Sequence, residues 1–425
     1  QEMKARVGTA GTRLARTDYS VGLAASVFPQ LHHMNLQWTL HRPFKFAPYL
    51  SLNLPAFANS QLCSARGGDC FYDMSSATSE RLDAELPFEV YSIANTPPAL
   101  GFRVPGIDLP KTEFDAETRK KIELLMAERG FVVFEGQMDL SGDDQVRVSE
   151  YFGSRKIHST HGVHPEAPNR HIFRLSNDES RGIVGVGPQW HNDGSFLDPM
   201  FSHVGYYSVH APSEASGVGG ETWFASTHLA YNNLTEEEKT YWSGLRSINS
   251  NGGVVHPVVY THELTGRKHV YLHLGMTGAI LDCSKRRKQR EEKGDDLDKL
   301  GADGLVLLNK AQMLQLFNRY NDLLNDPRVH HKYRYRTGDL VVIDNLSVAH
   351  KADGSGHKPI DGHGEDHLRI VHRSTVRGKK PFHPDELLPG VRFIDMEGPN
   401  PFNADGVWQP GGLGFRWDES IPMQN

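Results

Sequence analysis

Gln189-Trp190-His191-Asn192-Asp193-Gly194-Ser195-Phe196 places an imidazole and a carboxylate two residues apart. On an extended backbone, positions i and i+2 share a face, so such a pair can hold two adjacent positions of an octahedral metal. The spacing alone is weak, because the chain carries 23 His and repeats it at His164-Pro165-Glu166, His363-Gly364-Glu365 and His383-Pro384-Asp385. Two later segments set 191/193 apart. The apolar run Asp339-Leu340-Val341-Val342-Ile343-Asp344-Asn345 reads as a strand that delivers His350, and Arg369-Ile370-Val371-His372-Arg373 reads as another. The two arginines of the second would lie on one face, roughly 13 Å apart at the usual strand rise. Two His and one Asp form a facial triad.

Outward from these strands, apolar or alternating runs at 204–209, 221–225, 269–274, 339–343 and 369–377 read as short strands, most of them divided by Gly, Pro, Asn or Asp clusters. Earlier, Ile122, Leu125, Met126 and Arg129 recur at helical spacing until Gly130, and Phe131-Val132-Val133-Phe134 follows as a buried strand. Ser141 with Asp144 resembles a capping box opening a helix that ends near 151–153. Two further helices are expected near 227–246 and 308–325, the second with Met313, Leu316, Phe317, Tyr320 and Leu324 on one face. Many short strands without regular βα alternation predict a mainly β fold, a sandwich or jelly roll flanked by helices.

Composition bounds the rest. At 425 residues the chain suits one large domain with an extension, and no apolar run approaches the roughly 20 residues of a membrane span. A net charge of −6 argues against a nucleic-acid partner. Cys63, Cys70 and Cys283 cannot staple so long a chain, which favours a reducing compartment, cytoplasmic or organellar. Residues 1–68 hold seven Lys/Arg against two acids, a local +5 that leaves −11 elsewhere. Residues 1–88 are therefore read as a separate N-terminal extension, either a transit peptide or a family-specific segment, and 89–425 as the enzymatic domain. A basic block, Ser284 to Arg290, adjoins Glu291, Glu292, Asp295, Asp296 and Asp298. It reads as a solvated loop, or as a lid insertion spanning 282–305.

Over roughly residues 99–380 the sequence resembles the taurine dioxygenase family of iron(II)- and 2-oxoglutarate-dependent oxygenases. The likeness runs in order through Gly106-Ile107-Asp108-Leu109, Gly130 to Phe134, Tyr151-Phe152-Gly153, Trp190-His191-Asn192-Asp193, Gly219-Gly220-Glu221-Thr222-Trp223, His256-Pro257-Val258, Asp344-Asn345 with His350, and Arg369 with His372-Arg373. One departure is the Gly/His/Asp-rich stretch between His350 and Arg369, which is longer than the family's usual dozen residues. The resemblance implies a double-stranded β-helix in which His191, Asp193 and His350 bind iron(II) and leave sites for 2-oxoglutarate and dioxygen. It implies that Arg369, with a hydroxyl from Thr222, binds the distal carboxylate of 2-oxoglutarate. Arg373 would meet the C1 carboxylate or an anionic substrate, although the residue could instead pair with Asp339 or Glu221. His158 and His161 fall where the family contacts substrate, and an aromatic is usual at the position of His161, which argues against taurine itself.

The reaction implied is oxidation of an unactivated C–H bond of a small substrate bearing a carboxylate, sulfonate or sulfate, with release of succinate and carbon dioxide. The same chemistry could serve desaturation or oxidative ring closure of an amino-acid-derived natural product of the kainoid type. Halogenation is disfavoured because Asp193 is present where halogenases carry a small residue. A non-catalytic jelly-roll binding protein would be expected to lose a ligand or Arg369, and a zinc hydrolase would not need the arginine pair. Self-association into a homo-oligomer is left open by the sequence.

Overall fold

The computed structural model describes residues 86–93, 100–153, 162–249, 254–293, 304–354 and 364–378. Residues 1–85 of the expected extension, His158, His161, the acidic residues 295–298 and the chain beyond 378 lie outside the described residues.

A seven-stranded sheet forms one wall, in the spatial order β1 (Tyr91–Ser92), β2 (Phe102–Val104), β3 (Phe131–Phe134), β14 (Leu340–Asp344), β5 (Phe201–His210), β16 (Ile370–Arg377) and β4 (Phe173–Ser176). A three-stranded sheet of β13 (His330–Tyr333), β6 (Thr222–Ser226) and β15 (Val348–Ala352) forms the other. All pairings in these two sheets are antiparallel except β2 with β3. Between the walls, Phe131, Val133, Val204, Val341, Ile343 and Val371 of the first pack with Phe224 and Val348 of the second. This is the jelly-roll interior, and the rings of Phe131 and Phe224, 4.7 Å apart, span it. Burial of each such ring contributes about 2–3 kcal/mol, so the interior fixes the spacing of the two walls.

Helices cover the outer faces. In α1 (Ala116–Arg129) the Asp115 carboxylate accepts the N–H of Thr118 (2.7 Å), and Gly130 at φ 86° ends the helix. Its Ile122, Leu125 and Met126 pack on Phe102, Val104, Val132, Phe134 and Val342 behind the large sheet. The cap of α2 (Gly142–Ser149) is half of a capping box: Ser141 Oγ accepts from the Asp144 N–H, but the Asp144 carboxylate takes the Ser141 hydroxyl rather than its backbone N–H. The expected helix at 227–246 is two helices, α3 (Thr227–Asn232) and α4 (Glu236–Ser243), because Thr235 and Glu238 form a full capping box that starts a new one.

Strand β10 (Lys268–Val270), paired with β9 (Val259–Thr261), stops well short of 274. A four-stranded sheet of β12 (Val306–Leu307), β11 (Thr277–Asp282), β7 (Leu245–Asn249) and β8 (Val255–Pro257) completes the strands. Residues 284–293 are not a loop: they form helix α5 (Ser284–Lys293), in which Arg286 is fully buried while its basic neighbours remain helical. In α6 (Lys310–Leu324), Met313, Leu316, Tyr320 and Leu324 are buried as the spacing requires, joined by Leu323, with Phe317 packed at the edge.

Candidate metal centre

The short stretch around His191 is an added rung on the small sheet. His191 and His350 form an antiparallel bridge, each donating its N–H to the other's carbonyl (3.0 and 2.9 Å), so the two imidazoles leave neighbouring backbones side by side. Their ring centroids are 4.2 Å apart. Asp193 follows two residues on, and all three side chains are buried. One ligand atom from each lies within 4.8 Å of the others; His191 Nε2 is 3.9 Å from Asp193 Oδ1 and His350 Nε2 is 3.7 Å from Asp193 Oδ2.

The electrostatics suit a divalent cation. Burial holds both imidazoles below their usual pKa, His350 far below, so they are neutral and offer lone pairs near pH 7. His191 Nδ1 donates to the Gln189 carbonyl (2.7 Å), which leaves Nε2 as its free lone pair. Burial alone would push the Asp193 carboxyl up; the Arg373 guanidinium, with smaller contributions from His350 and His191, reverses this and holds it well below the usual carboxylate range. Gly187, at φ 72°, lets the backbone pass the His191 ring, where a Cβ would come within 2.9 Å of Cε1.

Iron(II) fits this donor set: two neutral nitrogens and one anionic oxygen lie close together and buried. Two orphaned groups border it, His350 Nδ1 and Arg373 Nε, which are buried without a hydrogen-bond partner among the described residues.

Arg373 pairs with neither Asp339 nor Glu221. Its Nη1 donates to Asp193 Oδ1 (2.9 Å) and the guanidinium lies over the Phe173 ring, while Tyr333 and the Arg336 N–H bind Asp339, and Arg334 reaches Glu221. Arg369 directly precedes β16 rather than lying in it, and a register shift separates Ile370 from Val371. The Asn177 side chain accepts the Arg369 N–H (2.8 Å) and fixes this entry to the strand. Arg369 is 4% exposed, its Nε donates to the Gly220 carbonyl (3.0 Å), and its terminal nitrogens have no hydrogen-bond partner among the described residues. They border a cavity lined by Gly220, Glu221, Arg334, Tyr335 and Val371. Thr222 reaches this corner indirectly: its Oγ1 accepts the hydroxyl of Tyr335 (3.1 Å), whose ring lies 5.9 Å from the Arg369 guanidinium.

Three residues of the site carry no functional signal in the sequence. Tyr206 contacts Asp193 and His350, Tyr335 links Thr222 to Arg369, and His273 stands 5.2 Å from the His191 ring. Asn345 belongs to a recognisable pair with Asp344, but only its contacts with Asp193 give it a role. His256 is a support: buried, with a pKa lowered to about 4 by burial, it donates from Nε2 to the Ser195 carbonyl (2.8 Å) and steadies the turn after Asp193.

A jelly roll whose two walls meet at a two-His, one-carboxylate centre, with a buried arginine at the head of the strand that crosses it, defines an iron(II)- and 2-oxoglutarate-dependent dioxygenase. The chain belongs to the taurine catabolism dioxygenase TauD, TfdA family, whose model matches residues 92–374. It is 26% identical over 307 residues to an alkylsulfatase of Acinetobacter baylyi, covering 66% of this chain and 83% of that one. To an α-ketoglutarate-dependent sulfonate dioxygenase of Saccharomyces cerevisiae it is 26% identical over 292 residues, covering 63% of each. A taurine dioxygenase from Burkholderia xenovorans shares the fold, with a TM-score of 0.51 at 20% identity over 70% of this chain and 92% of the other. No helix among the described residues is long and apolar enough to cross a membrane.

Proposed function

We propose that this enzyme oxidises an unactivated C–H bond of a small anionic substrate, using His191, Asp193 and His350 to hold iron(II) and Arg369 to hold 2-oxoglutarate. Bound iron(II), with 2-oxoglutarate and dioxygen, supplies the oxidising power and releases succinate and carbon dioxide. The observation that carries the reading is the pair of arginines just before and within one strand: Arg373 reaches the triad while Arg369, four residues earlier, lines a cavity and keeps its terminal nitrogens uncommitted among the described residues. A dicarboxylate with one end at the metal and the other in a guanidinium fork matches that layout.

Each residue then has a physical task. Arg369 presents two parallel donors to the distal carboxylate, and Gly220 permits it, since a Cβ there would lie 2.8 Å from Arg369 Cδ. Tyr335 gives its proton to Thr222, which leaves the Thr222 hydroxyl proton available for the same carboxylate. Arg373 balances the charge of Asp193 and has Nε left for the C1 carboxylate or the substrate anion. His158 and His161 are the candidates for contact with that anion. The substrate class is supported by relatives named for sulfonate and alkyl-sulfate chemistry.

Succinate release measured across a panel of alkyl sulfates, sulfonates and carboxylates tests this, with the product weighed by mass spectrometry. Hydroxylation adds one oxygen; desaturation or ring closure, the second reading, removes two hydrogens. Succinate release that no anionic substrate stimulates would contradict the proposal.

A further inference from the structure

Strand β5 carries two adjacent tyrosines that part company. Alternation along the strand sends Tyr207 to the helix-covered face, where its hydroxyl donates to the Gln137 carbonyl, and sends Tyr206 into the jelly-roll interior. Tyr206 stands directly opposite Arg373 on β16 and Val341 on β14. From there its hydroxyl donates to Asp193 Oδ2 (3.0 Å) and lies 2.8 Å from His350 Nε2. Arg373, its cross-strand partner, donates to the other oxygen, Asp193 Oδ1 (2.9 Å).

A phenol needs a polar partner when buried, but it did not need these two. The Tyr206 hydroxyl engages one atom from each of two proposed metal ligands. Whichever tautomer His350 adopts, its Nε2 cannot both share a hydrogen bond with Tyr206 and give its lone pair to a metal. A proton donated to Asp193 Oδ2 likewise draws electron density from the carboxylate and makes it a poorer ligand. Both effects have the same sign.

We propose that Tyr206 is a positioning residue that sets the metal affinity of the triad, its hydroxyl competing with the metal for His350 Nε2 and tempering the Asp193 carboxylate. The inference rests on the reading of His191, Asp193 and His350 as metal ligands. Its consequence runs against the usual result of trimming the surroundings of a metal site, where affinity falls. Here removal of the hydroxyl tightens binding and destabilises the metal-free chain, which loses the two contacts.

The test is Mn(II) titration of the full-length, chelator-stripped chain, followed by the electron paramagnetic resonance of free Mn(II), for wild type and Tyr206→Phe. Phe keeps the ring and its packing. The expected result is a dissociation constant lower by on the order of two- to tenfold, the worth of one net hydrogen bond. Thermal unfolding of the metal-free protein should occur at lower temperature, and the shift on adding Mn(II) should be larger than in wild type. Tyr206→Met, which also lacks the hydroxyl, repeats the measurement in a different packing. An unchanged or higher dissociation constant in the folded variants overturns the inference and makes Tyr206 a support for Asp193. Wild type that takes up no Mn(II) overturns the metal-site reading, and this inference with it.

Discussion

Asn345 holds Asp193 by both of its backbone groups: its Oδ1 accepts the Asp193 N–H (2.9 Å) and its Nδ2 donates to the Asp193 carbonyl (2.9 Å). The same amide nitrogen also reaches the Phe201 carbonyl (2.7 Å) at the start of β5. One fully buried side chain thus takes both backbone groups of Asp193, two residues past the His191–His350 bridge, and Asn192 adds a tie in the other direction by donating to the Asn345 carbonyl (2.6 Å). Asn345→Ala would leave three buried backbone groups unpaired. We expect a loss of about 3–5 kcal/mol in denaturant unfolding. A loss below about 1 kcal/mol, within the usual scatter of a neutral change, would show that the clamp is not needed.

Arg369→Lys should weaken 2-oxoglutarate binding by roughly 2–5 kcal/mol, because an ammonium cannot reproduce a buried, two-pronged contact. Thr222→Val should cost less, on the order of 1–3 kcal/mol, although it also leaves the Tyr335 hydroxyl without its acceptor. Anaerobic equilibrium binding of 2-oxoglutarate to the iron-loaded variants checks both. Equal affinity of wild type and Arg369→Lys would put the cosubstrate elsewhere.

A second buried pair makes stability depend on pH. His262 Nε2 lies 3.1 Å from Asp344 Oδ2, both within the protein. Burial disfavours the imidazolium, but the Asp344 carboxylate outweighs it and the His262 pKa rises above 6.5. Burial likewise opposes the Asp344 carboxylate, yet His262 brings its pKa from 3.8 to about 2. The His262 contribution is therefore complete below pH 6.5 and lost as pH rises through its raised pKa; that of Asp344 is complete above pH 3.8 and lost as pH falls towards 2. Urea unfolding of wild type and His262→Leu should show a wider gap at pH 5.5 than at pH 9, about one unit inside and well outside that window. A gap independent of pH would mean that His262 is neutral in the folded protein.

The triad reading drew on features of the chain itself, an i, i+2 pair and a downstream strand, together with the resemblance that set this pair apart from three others of the same spacing. Helix α1 was legible from the chain alone, since Asp115, the Ile122–Leu125–Met126 stripe and Gly130 mark its start, face and end within sixteen residues. Partners chosen across the fold were not. Arg373 binds Asp193 because β16 lies beside β5, and Tyr206 joins them because it is the residue opposite; neither adjacency is written in a spacing. Residues 284–293 misled for a different reason. A charge-dense run reads as solvated, whereas its helix buries Arg286 while the described Lys285, Arg287 and Lys288 stay partly or fully exposed. The role of Gly220 becomes visible only when Arg369 is seen passing over it.

We propose that His191, Asp193 and His350 hold iron(II) beside a 2-oxoglutarate bound by Arg369. Anaerobic addition of 2-oxoglutarate to the iron(II)-loaded chain, followed in the visible region, tests it most directly. We expect a metal-to-ligand charge-transfer band that saturates at one cosubstrate per chain in wild type and is absent from folded His191→Ala and His350→Ala. Absence of the band in wild type, or a band of equal strength in either variant, would contradict it.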